Sequence, residues 1–410
     1  MERFLTKRNA LIFLSGLFLL IAWNREINLL YGMFSLISAT LIIALILPRY
    51  SVRHLSGQRE IPSVAVEGDE LPVKVQIDNR AGRSRYMLEV KDLFPAAEKG
   101  LRSPMTFIGR LRSKERKTYS YTVSCYKRGE YSVGPLKISS AYPLGIASSE
   151  MVLQAEPVPL LVYPKVFEIA RLPFLRGSSA YSSMADSAVR TGGSEDFFGT
   201  REYREGDSLR YIHWPSSARH GHLIVKEFET RATAMVTAIL DLQKGSEAGE
   251  GRETTLEYSV TIAASLARYI LGKGHSFQLA GYGKEKQLIP YGRGPAQLAK
   301  ALGALARAKA DGGLPYRSAI ERAAEMLRDG DMVVLFFCHG DETPDNYAYC
   351  LGLLKARRIR PVAVFMDRTS FTDTAGTLVR HSRLEEEFRA MNAIVYNVSR
   401  GCDLEAVFGV

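Results

Sequence analysis

The chain has 410 residues, enough for two or three domains that each bury a core. Charged residues make up 24% and hydrophobic residues 46%, a balance typical of globular proteins that excludes a disordered chain. The net charge of +10 suits either nucleic acid or an anionic membrane leaflet as a neighbour. No run of Lys and Arg alternates with aromatic residues, so we expect no nucleic-acid binding. The 4 scattered cysteines indicate reduced thiols of a cytosolic compartment.

Two apolar runs near the N-terminus predict a membrane hairpin within residues 1–59. The first covers residues 9–23, and the second covers residues 27–47 without a charged residue. The second run is long enough for a hydrocarbon core of about 30 Å, whereas the first depends on snorkelling from Lys7 and Arg8. The short connection places both ends on one side of the membrane. Flanking basic residues predict that this side, with both termini and the soluble domains, is the cytoplasmic face of the inner membrane.

A cleaved signal peptide is the alternative, since a basic start and a short apolar region are typical of one. No small-x-small cleavage site follows Trp23, and a second apolar run comes at once. We therefore favour the hairpin, an integral anchor with two spans.

Residues 60–165 alternate apolar and polar positions, as short antiparallel strands do. Leu71, Val73, Val75 and Ile77 form one such apolar face. With the turn signals between the runs, this pattern predicts a small all-β, sandwich-like domain without a catalytic signal. Residues 166–191 are rich in Ser, Ala and Arg and predict a linker.

Residues 230–410 alternate apolar runs with helical periodicity. This pattern predicts an open α/β sheet with helices on both faces. The first strand is predicted at 234–240, and Ser318 with Glu321 predicts a capping box for one helix. Further strands are predicted at 277–280, 332–337, 362–366 and 394–398.

Residues 192–229, the motif segment, are dense in polar and aromatic residues that follow neither the strand period nor the helical period. Its candidate residues are Arg201, Glu202, Tyr203, Gly206, Asp207, Arg210, His213, Trp214, Ser217, Arg219, Lys226 and Glu227. In a structural interpretation, arginine forks pair the polar groups of an irregular loop, and Tyr203 and Trp214 fill the space beneath. The alternative is a recognition surface, because Trp, Tyr and Arg dominate interface energetics. The two interpretations are compatible.

A metal site is one candidate chemistry, because ligands of open α/β sheets bind at the carboxyl ends of strands. Asp241 ends the first strand and Asp341 follows a later one, which resembles a von Willebrand factor A domain. Such domains carry Asp-x-Ser-x-Ser, whose hydroxyls suit Mg²⁺. Here Gln243 and Gly245 replace the serines and Lys244 adds positive charge. The sequence therefore predicts a degenerate site without a metal.

Two other chemistries have weaker support. The spacing of His213, His220 and His222 matches no common zinc site. Ser216 and Ser217 follow His213, but no Gly-x-Ser-x-Gly elbow surrounds them. We expect no cofactor and no catalytic residue.

The chain resembles the domain-of-unknown-function fifty-eight family. The family hallmark, close to REYxxGDxxRxIHWxxSAR followed by LxVKE, is matched from Arg201 to Arg219 and from Leu223 to Glu227. The resemblance extends to the membrane anchor, an RGxYxxGP element at residues 128–135 and a von Willebrand A-like terminal domain. Ala141 departs from the pattern, which has Asp at this position.

The resemblance implies partnership with MoxR-type AAA+ ATPases and with other envelope or von Willebrand A-type proteins. It supplies no reaction. We therefore expect a membrane-anchored, non-enzymatic adaptor or assembly factor of bacterial type. The alternatives are a hydrolytic enzyme that uses Asp207 and His213, and a metal-dependent von Willebrand A-type binding module.

Overall fold

The computed structural model describes residues 2–98, 104–154, 156–172, 195–205, 207–230, 234–338, 344–372 and 382–408. The chain divides into two compact units, Met1–Lys165 and Val166–Val410. Gly206, Asp341 and most of the predicted linker lie outside the described residues. The side chain of Glu227 lies outside them as well.

The first unit begins with two helices, α1 (Glu2–Arg25) and α2 (Asn28–Val52). Glu26 reverses the chain between them with a φ of 50°, and the hydroxyls of Ser15 and Ser38 lie 2.9 Å apart at mid-length. The helices therefore pack antiparallel. By length and composition, α2 is the one helix among the described residues that is able to cross a membrane. An N-terminal apolar helix is thus confirmed, and a second span stays a prediction.

The β part of the first unit contains three sheets in the described ranges. Their orders are β1-β3-β6, β2-β10-β7 and β5-β4-β8-β9. Apolar side chains of these strands enter one common core, and along β3 they alternate with more exposed side chains, as the period of two predicts. The strands are β1 (Leu55–Glu60), β2 (Val64–Val66), β3 (Glu70–Asn79), β4 (Arg85–Asp92), β5 (Met105–Leu111), β6 (Arg116–Ser124), β7 (Gly129–Val133), β8 (Leu136–Ser140), β9 (Ser149–Gln154) and β10 (Val158–Tyr163).

A buried ion pair joins all three of these sheets. Arg59 on β1 donates through Nε to Asp92 Oδ2 on β4 at 2.7 Å and through Nη2 to Asp92 Oδ1. Its Nη1 donates to the carbonyl of Val133 on β7 at 2.9 Å. Tyr121 on β6 donates its hydroxyl to the same carboxylate, and burial raises the pKa of this phenol. The network satisfies charges that the apolar core could not otherwise hold.

The second unit is built around a six-stranded sheet of order β17-β16-β13-β18-β19-β20. Its strands pair in parallel except for the edge strand β17. The elements are β11 (Glu195–Glu202), α3 (Trp214–His220), β12 (Ile224–Thr230), β13 (Met235–Leu240), β14 (Gly249–Glu250), β15 (Glu253–Thr254), α4 (Thr255–Gly272), β16 (Ser276–Tyr282), β17 (Lys286–Gly292), α5 (Gly294–Arg307), α6 (Tyr316–Met326), β18 (Met332–Phe337), α7 (Pro344–Ala356), β19 (Arg360–Met366), α8 (Arg368–Phe371), α9 (Ser382–Ala390), β20 (Ile394–Val398) and α10 (Leu404–Phe408).

Helices cover both faces of this sheet. One apolar core holds side chains of α4 and α5, and a second core on the other face holds those of α6, α7 and α9. Every side chain of β18 is buried, as a central parallel strand requires. The predicted α/β region is confirmed. The predicted capping box is wrong, because Pro315 is the N-cap of α6 and places Ser318 inside the first turn.

Replacing Arg59 by Met tests the buried network of the first unit. The change leaves the carboxylate of Asp92 buried without its cation, which is expected to cost about 3–5 kcal/mol. Hydrogen exchange of β4 and β7 peptides in the detergent-solubilised chain should accelerate accordingly.

Arg116→Met is the matched control, because Arg116 pairs with Asp78 through a similar fork but its side chain is 66% exposed. Water can hydrate the Asp78 carboxylate once Arg116 is replaced, so the hydrogen exchange of the β4 and β7 peptides should hardly change. Equal effects of the two substitutions would contradict the role given to the buried network.

Candidate functional site

The described part of the motif segment is a two-stranded antiparallel ribbon with an insertion. In the ribbon, Glu195 of β11 pairs with Thr230 of β12 at one end, and Glu202 pairs with Ile224 at the other. Residues 203–223 leave the ribbon as a turn, a short 3-10 helix (Leu209–Tyr211) and α3. The sequence shows no single period here because three kinds of structure follow one another within a few residues.

A carboxylate clasp fixes the turn that follows β11. Asp207 accepts both arms of the Arg201 fork, at 2.6 Å from Nη1 and 2.7 Å from Nη2. It also accepts the backbone N–H of Arg204 at 2.8 Å. The Asp207 side chain is only 9% exposed. The Arg201 hydrogen bonds, followed by that of the Arg204 backbone, lower the pKa of Asp207 from 3.8 to about 2.

A second set of hydrogen bonds holds α3 against β12. The buried hydroxyl of Ser217 accepts the backbone N–H of Ile224 at 2.8 Å and lies 3.1 Å from the carbonyl of His213. The backbone N–H of His213 donates to the carbonyl of Ile224 at 2.8 Å. His213 is also the N-cap of α3, because its Nδ1 accepts the backbone N–H of Ser216 at 3.3 Å. These polar groups therefore satisfy the backbone of the insertion itself.

Apolar side chains of the same insertion face outward. Leu209 is 65% exposed and Trp214 is 64% exposed, and Leu223 is 41% exposed. Trp214 thus does not fill the space beneath the segment, and this part of the structural interpretation is wrong. Its position explains why: Trp214 is the first residue of α3, and the buried face of this short helix is occupied by Ser217.

Four further candidate residues of the segment differ in their exposure. Arg210 and Arg219 are exposed, whereas Tyr203 and Lys226 are half-buried. The backbone N–H of Tyr203 donates to the carbonyl of Leu223 at 2.9 Å. Sequence reasoning missed Leu209, because an apolar residue between polar neighbours carries no sign of its exposure.

Two histidines of the insertion lie near each other. The rings of His220 and His222 are 6.0 Å apart, and His222 Nε2 lies 3.4 Å from a carboxylate oxygen of Glu202. His220 Nδ1 lies 3.0 Å from the carbonyl of Ser216. No group of three or more His, Cys, Asp or Glu side chains suited to a metal occurs in the part of the chain that the structure describes.

The carboxyl end of β13 carries the other candidate site. The Asp241 carboxylate is buried and accepts the backbone N–H of Gln243 at 3.1 Å. The side-chain oxygen of Gln243 in turn accepts the backbone N–H of Tyr316 at 2.9 Å. Two oxygens that a cation would need are therefore engaged by the backbone of this loop and of α6.

Arg368 supplies a positive charge at the same edge of the sheet. Its Nη1 lies 2.8 Å from the carbonyl of Gly245, and 3.4 Å from those of Ser246 and Cys338. The guanidinium thus joins the loop after β13 to the end of β18. The described residues of this edge do not fit Mg²⁺, because Arg368 repels a second cation and the serine hydroxyls are replaced.

The described residues define a protein with an N-terminal apolar helix, several β sheets and a C-terminal α/β region. The model of the family described as "Protein of unknown function DUF58" matches residues 199–357, which run from within β11 to one residue beyond α7. The chain is similar to the uncharacterized protein YeaD of Bacillus subtilis (strain 168). The two are 25% identical over 303 residues, which cover 71% of this chain and 72% of YeaD.

Solved structures similar to part of the chain include two that differ in origin. The crystal structure of the conserved hypothetical protein BatB from Bacteroides thetaiotaomicron has 13% identity and a TM-score of 0.32, and the match covers 41% of this chain and 91% of that one. Proximal thread matrix protein 1 from the mussel byssus has 11% identity and a TM-score of 0.32, with 43% and 46% covered.

The pH dependence of stability tests the Asp207 clasp. Because the pKa of Asp207 is lower in the folded chain, its carboxylate stabilises the fold above the ordinary value and loses this effect as pH falls toward about 2. The stability difference between the wild type and Asp207→Asn should therefore be constant from about pH 7 to 5 and shrink below about pH 4. Urea unfolding followed by Trp214 fluorescence, with Trp23→Phe in both proteins, measures it.

Glu205→Gln is the control, because Glu205 is an exposed carboxylate in the same turn. It should show no such pH-dependent difference. A difference for Asp207→Asn that is absent near neutral pH, or unchanged in acid, would contradict the clasp.

Removing the guanidinium of Arg368 tests the account of the sheet edge. Arg368→Met leaves the carbonyls of Gly245, Ser246 and Cys338 without this donor, so hydrogen exchange in residues 243–248 should accelerate. Arg383→Met, at an exposed position of α9, is the control and should leave this loop unchanged.

In the wild type, calorimetric titration with Mg²⁺ or Mn²⁺ should give no micromolar binding. Such binding would overturn the statement that the edge does not fit a metal.

Proposed function

We propose that this protein is a membrane-anchored, non-enzymatic adaptor or assembly factor whose motif segment binds a MoxR-type AAA+ ATPase. The observation that carries the proposal is that polar side chains of the insertion bond to its own backbone, whereas apolar side chains are exposed. Asp207, Ser217 and the Nδ1 of His213 hydrogen-bond to the backbone of the insertion and its ribbon, while Trp214 and Leu209 stand exposed. A segment built for chemistry would present its polar groups and bury its apolar ones.

The exposed groups have the composition of a protein-binding surface. Trp and Arg are the residue types most enriched among the energetically dominant contacts of interfaces. Trp214, Arg210 and Arg219 are all exposed. The Arg201–Asp207 clasp fixes the turn before the 3-10 helix, which lowers the conformational entropy lost on binding.

The anchor in this proposal is a hairpin of α1 and α2 with two spans in the inner membrane. Apolar side chains exposed on both helices support it, among them Trp23 at 78% and Leu29 at 72%. Both termini and the second unit lie in the cytoplasm, where an AAA+ ATPase has access to ATP. The α/β region acts as a von Willebrand A-like domain, which the position of Asp241 at the end of β13 supports.

Substitution of the exposed tryptophan tests the proposed partnership. Trp214→Ala should abolish co-purification of the detergent-solubilised protein with a MoxR-type AAA+ ATPase of the same cell, held in its ATP-bound state. Truncation of such an interface anchor typically costs 2 kcal/mol or more, roughly a thirtyfold loss of affinity. The melting temperature should stay unchanged, because Trp214 is 64% exposed.

Tyr349→Ala is the matched control, since Tyr349 is an aromatic residue of α7 that is 68% exposed. It should leave co-purification intact. The partnership is wrong if the wild type never co-purifies with the ATPase, or if the two substitutions weaken binding equally.

One contact favours the hydrolytic alternative. His213 Nδ1 lies 2.7 Å from the hydroxyl of Ser216, a distance at which imidazole can accept a hydroxyl proton. The contact is local to the first turn of α3, and Asp207, whose pKa is about 2, is a poor base. Covalent labelling by a fluorophosphonate that Ser216→Ala abolishes and Ser217→Ala does not would support the enzyme over the adaptor.

A further inference from the structure

Within the first unit, the end of α2 is fixed to the β part. The guanidinium of Arg85 on β4 lies 4.3 Å from the centre of the Tyr50 ring, and its Nη2 donates to the carbonyl of Arg53 at 3.2 Å. Pro48 and Val52 of the last helical turns are buried. The apolar helix therefore leads directly into one end of the four-stranded sheet.

Aromatic and basic side chains lie at this end of the sheet. Tyr86, next to Arg85, stacks on Tyr142 with ring centres 5.4 Å apart. Arg110 pairs with Tyr86 across β4 and β5, and its guanidinium lies 5.8 Å from the Tyr86 ring. Arg110 itself is exposed.

Two apolar side chains project beside this stack. Met87 is 48% exposed and has a φ of 48°, in the left-handed region that a non-glycine residue rarely adopts. In the ladder of β4 with β5, Met87 lies between the pairs Tyr86–Arg110 and Leu88–Ile108, and the register is the same on both sides of it. Leu144, two residues after Tyr142 in the turn between β8 and β9, is 53% exposed. Backbone strain at an exposed residue points to a functional constraint.

We propose that these side chains form a membrane-proximal rim that lies in the headgroup layer of an anionic phospholipid bilayer. The rim consists of Tyr50, Tyr86, Met87, Arg110, Tyr142 and Leu144. Tyrosine favours the interface between hydrocarbon and water, and arginine is attracted by anionic headgroups. The rim is continuous with α2, so this inference rests on the proposed membrane anchor. It deepens that proposal by making the bilayer surface a partner of the β part.

The charges around the rim agree with an anionic surface. Arg49, Arg53 and Arg83 are exposed near the end of α2 and the start of β4. The nearby carboxylate of Glu150 on β9 is paired with Lys137 at 2.7 Å. Leu93 offers a comparison position outside the rim. It follows the far end of β4, which lies about 23 Å from the end at the rim, at about 3.3 Å per residue. Leu93 is 50% exposed, similar to Leu144 of the rim.

Lipid-borne quenching tests the rim with the full-length protein in nanodiscs. Single cysteines at Leu144, Leu93 and Ile43, each in a Cys402→Ser background, carry a bimane label. The discs contain equal parts of phosphatidylcholine and phosphatidylglycerol, with headgroup or chain spin-labelled phosphatidylcholine as the quencher. The headgroup quencher should quench Leu144→Cys severalfold more than Leu93→Cys. Leu144→Cys should be quenched less in discs of phosphatidylcholine alone.

The Ile43 position separates the rim from the anchor. Ile43 lies on α2 and is 44% exposed, so the chain-labelled lipid should quench the label at this position if the anchor is correct. Quenching at Ile43 together with equal, low quenching at Leu144 and Leu93 would overturn the rim alone. Absence of quenching at Ile43 would overturn the anchor and the rim with it. Equal quenching of Leu144→Cys in both disc types would contradict the preference for anionic lipid.

Discussion

Guanidinium groups satisfy the polar groups at three places where this chain departs from regular structure. Arg59 joins three sheets of the first unit through Asp92 and the carbonyl of Val133. Arg201 fixes the turn after β11, and Arg368 connects the ends of two parallel strands. Backbone groups away from water must find partners, and the planar fork of arginine supplies several donors in a fixed geometry. Each of these three junctions therefore carries its own internal cation.

This constraint governs what the motif segment is able to do. The carboxylate of Asp207 receives three donors, so little of its hydrogen-bonding capacity is left for a substrate. The same bonds fix the turn before the 3-10 helix, and Trp214 and Leu209 of the insertion are exposed to solvent. At the sheet edge, Arg368 carries the positive charge that a metal would otherwise bring. In the motif segment, these contacts favour the proposed binding role over the hydrolytic alternative.

Local patterns in the sequence predicted the strands of both units, but they could not predict contacts between residues far apart in the chain. Alternation along β3 and the continuous apolar run of β18 are properties of neighbouring residues, and the structure has both strands. The contact of Arg368 with Gly245 spans 123 positions and leaves no local trace. The exposure of Trp214 depends on which side of α3 Ser217 occupies, which no period reveals. The family resemblance located the site, whereas only the fold separates its buried residues from its exposed ones.

The most direct test of the account is site-specific photo-crosslinking at position 214 in living cells. A photoreactive phenylalanine analogue in place of Trp214 should form a crosslink to the MoxR-type ATPase. The same analogue at Tyr349 should form none. Equal crosslinking at both positions, or a product with the ATPase from Tyr349 alone, would contradict the claim that the motif segment is the binding surface.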